Sequence, residues 1–142
     1  MENIEEITLH YQESNFTPLE FKIPIDEMAE ELPSIYINSL ESGDHMDVIG
    51  YYRRKEWTKL SRGKWKCTVK KSDLMLIFNT AFYLNLDYHY EDPVILDSQS
   101  YQLYFTVAGE DEKRKFEWFH KTPKGCADLG IIASRMLRMA GI

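Results

Sequence analysis

The stretch YQLYFTVAGEDEKRKFEWFH, residues 101–120, decides the fold. Tyr101, Leu103, Phe105 and Val107 alternate with polar or smaller neighbours, Phe116, Trp118 and His120 alternate further on, and a charged tip from Gly109 to Arg114 separates the two runs. Side chains on a strand point to opposite faces in turn, so this spacing describes two strands that each bury one face. Joined by a short polar tip, they make a hairpin. The same pattern recurs earlier. Ile7, Leu9 and Tyr11 form one alternating run, Leu19, Phe21, Ile23 and Ile25 a second, with a turn over 15–18 between them. Pro24 lacks a donor for a ladder, which predicts that the second run ends at a sheet edge. A short acidic helix over 26–32, closed by Pro33, is expected next.

Residues 34–40 and 46–53 read as another hairpin about Gly43. In the run from Lys64 to Lys70, Lys64, Lys66, Thr68 and Lys70 alternate with Trp65, Cys67 and Val69, which gives a cationic face and an apolar one. Two helices are expected. The first, from Asp73 to about Ala81 with Ser72 as its N-cap, is apolar except at Asn79 and Thr80 and so reads as buried. The second follows Thr122-Pro123 and ends before Gly141, with Leu129, Ile132, Ala133, Met136 and Ala140 on one face. From Phe82 to Tyr90 the spacing fits either a strand or the end of the first helix. These elements predict an α+β fold in one domain, 1–142: an antiparallel sheet of six or seven strands with two main helices packed on one face. A chain of 142 residues with 44% hydrophobic content is long enough to bury its own core without metal or disulfide staples.

Charge is sorted along the chain. Residues 1–47 carry twelve acids and one base, a formal charge of −11, whereas 53–71 carry nine bases and one acid, +8. The whole chain has a formal charge of −6. Crowded like charges repel one another unless something of opposite sign compensates, so this segregation points to a partner-binding surface rather than a reaction. The acidic candidates are Glu27, Glu30, Glu31, Asp44 and Asp47, which suit a basic protein partner such as an enzyme or toxin to be neutralised. The basic and aromatic candidates are Arg53, Arg54, Lys55, Trp57, Lys64, Lys66 and Lys70. Cations of this kind follow a phosphate backbone, and an interleaved ring stacks on a base, so nucleic-acid or phosphate-ligand binding is the alternative. The competing expectation is plainer: the basic strand lies beside the acidic hairpin, the charges cancel, and Trp57 and Trp65 belong to the core.

Chemical signatures are weak. Cys67 and Cys126 are far apart and read as two free thiols. Cys126 follows Gly125 near a helix start, with His120 upstream as a conceivable base, which makes a cysteine-dependent enzyme a distant alternative. His10, His45, His89 and His120 stand singly, without metal-ligand spacing, and no cofactor or metal is expected. The aromatic stretch Phe82-Tyr83-Leu84 through Tyr88-His89-Tyr90, with Tyr101 and Tyr104, is a candidate lining for a ligand pocket or a protein-binding face, the plainer expectation being sheet core and rim. The acidic start and the lack of a long apolar run fit a cytoplasmic protein with no membrane association. Oligomeric state is not legible.

Overall fold

The computed structural model describes residues 3–13, 17–40, 56–86, 99–122 and 125–142. The alternating runs become strands: β1 (Ile4–Gln12), β2 (Leu19–Pro24), β3 (Ser34–Ser39), β5 (Lys64–Thr68), β6 (Ser100–Val107) and β7 (Arg114–Phe119), joined by a short β4 (Thr58–Ser61). The helices are α1 (Lys71–Phe82) and α2 (Ala127–Met139), and a 3-10 turn spans Ile25–Ala29. Seven strands form one antiparallel sheet in the order β4-β5-β3-β2-β1-β6-β7. The expected α+β architecture is therefore the one observed.

Register follows from which side chains must be dry. Ile7 pairs with Ile23 and Phe105, Leu9 with Phe21 and Leu103, and Phe21 with Ile37, which in turn pairs with Trp65. All of these are essentially buried. Each contributes about 1.5–3 kcal/mol of transfer free energy, so a one-residue slip of any strand would cost far more than any turn could recover. Ile4 and Ile7 both reach this face although they stand three apart, because the β1–β6 register shifts between Ile4 and Glu6. Onto the same face α1 lays Leu74, Ile77, Phe78 and Ala81, and α2 lays Leu129, Ile132, Ala133, Met136 and Leu137. A left-handed Gly141 ends α2, letting Gly141 N–H reach the Arg138 carbonyl and Ile142 N–H the Leu137 carbonyl, both at 2.9 Å.

Several expectations are corrected. Pro24 does not mark a sheet edge, since β2 is flanked by β1 and β3; it closes the strand where pairing with β3 has already stopped at Lys22 and Tyr36. The acidic helix shrinks to the 3-10 turn. Ser72 lies inside the first turn of α1, with Lys70 at the cap position and no side-chain cap. The last helix starts at Ala127 rather than after Thr122, because His120 and Gly125 adopt left-handed backbone, at φ 63° and 88°, which a helix cannot pass through. The second strand expected over 46–53 lies outside the described residues, and the strand that pairs with β3 on that side is β5.

Candidate binding surfaces

The acidic 3-10 turn is built by spacing. Pro24, at φ −69°, leads into it, and Ile25 and Met28, three apart, fall on one side of a helix with three residues per turn. On another side the Glu27 carboxylate accepts the Ser34 N–H at 2.9 Å and the Tyr36 hydroxyl at 2.7 Å. That hydrogen bond, with burial and the nearby Glu27 and Glu30 charges, pushes the Tyr36 phenol up to about 12. Glu27 is thus a structural acceptor that ties the turn to β3, not a free surface charge. Asp26, Glu30 and Glu31 stay exposed and make no ion pair with any described residue. Asp44 and Asp47 lie outside the described residues.

Ile25 and Met28 form one wall of a cleft of about 400 Å³. Met75, Phe78, Phe82 and Tyr83 of α1 and its C-cap form the other, and Asn3 and Ile4 complete it. Much of this apolar surface is wet: Met75 is 50% exposed, Phe82 41% and Tyr83 80%. α1 was expected to be buried because it is apolar nearly all round. In a single helical layer on a sheet only one stripe meets the core, and the rest of the apolar surface faces outward. A signal for this existed in the sequence: no polar stripe follows the helical repeat through Met75, Leu76 and Phe82.

Of the basic candidates, Lys64 and Lys66 lie on β5, next to the β4 edge of the sheet, and Lys70 at the cap position of α1. Lys64 and Lys70 are exposed and Lys66 is half-buried. β3 separates them from the acidic β1–β2 hairpin, with Lys64 opposite Asn38 and Lys66 opposite Tyr36. The two charged regions therefore do not zip together through neighbouring strands. Trp57 is corrected from a binding residue to a core residue: it is 8% exposed, stacks near Trp65 with centroids 5.9 Å apart, and donates its indole N–H to the Ala140 carbonyl at 2.8 Å. Arg53, Arg54 and Lys55 lie outside the described residues.

The sheet face away from the helices is a mixed polar network. Glu20 sits at its centre, 2.9 Å from His10 Nε2, accepting Asn38 Nδ2 at 2.8 Å, with Lys22 Nζ at 3.7 Å. The His10 hydrogen bond outweighs burial and, together with Asn38 and Lys22, holds the Glu20 carboxyl at about 2. Further along, Tyr104 donates to Gln102, Gln102 to Glu117, and Lys115 pairs with Glu117 at 3.1 Å. Acids and bases alternate here, so the face presents no continuous track of one sign.

Cys126 and His120 line different cavities, one with Phe116 and Leu129, the other with Trp118 and Ser134. The structure does not bring that pair together. Cys67 is buried. Among the described residues no group of three His, Cys, Asp or Glu could hold a metal ion, and no helix is long and apolar enough to cross a membrane. Compared with protein-family models, curated proteins and solved structures, the chain matches none.

Proposed function

We propose that this chain is a small interaction protein, of inhibitory or neutralising type, that binds a basic protein partner through its acidic N-terminal part. One observation carries the reading: Asp26, Glu30 and Glu31 stand exposed and unneutralised among the described residues, on a turn that Glu27 anchors to β3. Charges held on a rigid element steer a partner of opposite sign and set its register without a large ordering cost. The turn leads into β3, which pairs with the basic β5, yet Asp26, Glu30 and Glu31 form no ion pair with the lysines there among the described residues.

The test is affinity capture from an extract of the source cells, comparing the native chain with an Asp26→Lys/Glu30→Lys/Glu31→Lys variant. A stoichiometric basic protein, released by salt and lost in the variant, is the expected result. Equal capture by both chains, or none by either, would rule the reading out. Glu27 is left unchanged because its loss would strand the Ser34 N–H and Tyr36 hydroxyl.

A second reading, nucleic-acid contact, is favoured by Lys64, Lys66 and Lys70, which form no ion pair with the described residues. It has less support, since the ring expected to stack there, Trp57, is in the core. A Lys64→Glu/Lys66→Glu/Lys70→Glu variant that keeps whatever nucleic-acid retention the native chain shows would remove it.

A further inference from the structure

The cleft beside the acidic turn has no role in folding that accounts for its exposed walls. Large apolar side chains normally leave water when a helix packs, because apolar area kept in water forgoes the free energy of burial. Here Ile25, Met75, Phe82 and Tyr83 are all more than 40% exposed, and Leu76 adds to the same outer surface of α1. Contiguous apolar surface of this kind marks an interaction site.

Three features say what covers it. The first is charge. Among the described residues, every formally charged one within two positions of a lining residue is acidic: Glu5, Glu6, Asp26, Glu27, Glu30 and Asp73. Tyr83 also stands at the C-cap of α1, where the unsatisfied carbonyls make the helix end negative, and no basic residue occupies that last turn. The second is length. Met75 to Phe82 is seven residue steps, which spans about 10 Å, or two helical turns. A facing helix would meet that wall with apolar side chains at i, i+3 or i+4, and i+7. The third is extent: apolar exposure continues from the Tyr83 wall past the cleft through Leu76, beyond what a small ligand would cover.

From these we infer that the cleft between the 3-10 turn and α1 is the docking groove for an amphipathic, lysine- or arginine-rich helical segment of a protein partner. Its apolar side chains enter between Ile25–Met28 and Met75–Phe82 while its cations face Asp26, Glu30 and Glu31. The inference rests on the reading above, and adds the partner's secondary structure and the apolar half of its recognition.

The probe is a capped, fluorescent leucine–lysine peptide of about 18 residues, long enough to hold a helix, with leucines at i, i+4 and i+7. Its control is an isomer of identical composition with the leucines spread around the helix. Fluorescence anisotropy at physiological ionic strength should show dissociation constants of about 10 μM for the first peptide and about tenfold weaker for the isomer. Met75→Ser/Phe82→Ser should weaken the patterned peptide by about tenfold, and Ile25→Ser, on the opposite wall, by about threefold. Asp26→Asn/Glu30→Gln/Glu31→Gln should weaken it less and flatten its salt dependence. Thermal melts of each variant confirm that the fold is intact. Equal binding of the two peptides would overturn the inference. So would full binding by the Met75/Phe82 variant, or sedimentation showing that a second copy of the chain, through its basic β4–β5 edge, fills the groove instead. Should the captured partner survive Met75→Ser/Phe82→Ser yet be lost on charge reversal, the groove assignment fails while the acidic-surface reading stands.

Discussion

The two helices cover the same face of one sheet and leave opposite remainders. α2 buries Leu129, Ile132, Ala133, Met136 and Leu137, shows Asp128, Ser134 and Arg138 to water, places Arg138 in its last turn and closes on Gly141. Trp57 secures its end through the Ala140 carbonyl. A buried stripe, a basic last turn and a glycine closure are all present there, although no side chain caps its start and Ile131 is 40% exposed. Of these three, α1 has only the first. It buries Leu74, Ile77, Phe78 and Ala81, yet it lacks a basic last turn, and it shows Met75, Leu76 and Phe82 to solvent. The difference teaches where to look for function: stability accounts for most of α2, which leaves Ile131 alone of its large apolar side chains in water, but for only half of α1, whose Met75 and Phe82 border the acidic turn.

The comparison breaks first if the inner stripes are not equivalent. Ile77→Ala in α1 and Ile132→Ala in α2 remove side chains of zero exposure, and each should lower unfolding free energy by about 2–5 kcal/mol in urea titration. A much smaller loss in α1 would mean that this helix is only loosely docked, and the contrast drawn above would dissolve.

The closure of α2 is the next point to sharpen. Trp57→Phe keeps most of the ring's apolar area but leaves the Ala140 carbonyl without its buried donor, an expected cost of about 1–3 kcal/mol by the same titration. No change would show that the indole hydrogen bond contributes nothing to holding α2.

The polar face of the sheet supplies a reference that touches neither helix. Glu20 ionises at about 2 in the folded chain against an ordinary 4.5. A depressed carboxyl adds stability that is complete above the unfolded value and drains away as pH falls from about 4.5 to about 2. The full gap is worth about 3 kcal/mol, reduced to about 1–2 kcal/mol because His10 and Lys22 are partly solvated. Glu20→Gln should flatten the acid limb of the stability curve by that amount. An unchanged limb would show that the pair with His10 is not maintained in solution.

The smallest effect is the most informative for the outer stripe. Met75→Ser/Phe82→Ser should shift unfolding free energy by only about 1 kcal/mol, because both side chains are already about half in water. A loss above about 2 kcal/mol would assign them to the core after all.

Strand pairing was largely legible because alternation is a local property: β1, β2, β6 and β7 could be read from it directly. β4 was not, since Thr58, Lys59, Leu60 and Ser61 are all exposed and carry no alternation. Trp57 was drawn to a binding surface by its basic neighbours, whereas its hydrogen-bond partner lies 83 residues away and no local pattern announces it. In the sequence Glu27 is one acid among many, and only the fold sets the Tyr36 hydroxyl and the Ser34 N–H on its oxygens. The groove was half visible: Phe82 and Tyr83 stood out as an aromatic face, and Glu30 and Glu31 as an acidic one. What joins them is the 3-10 turn, which brings Ile25 and Met28 against α1 only when the chain is folded.

Amide chemical-shift mapping on addition of the patterned leucine–lysine peptide tests the central claim most directly, because it reports where on the fold a basic amphipathic helix settles. The account predicts shifts concentrated at residues 25–31 and 75–83, with the amides of α2 and of β4–β5 unmoved. Shifts confined to the β4–β5 edge, or spread evenly over the surface, would contradict it.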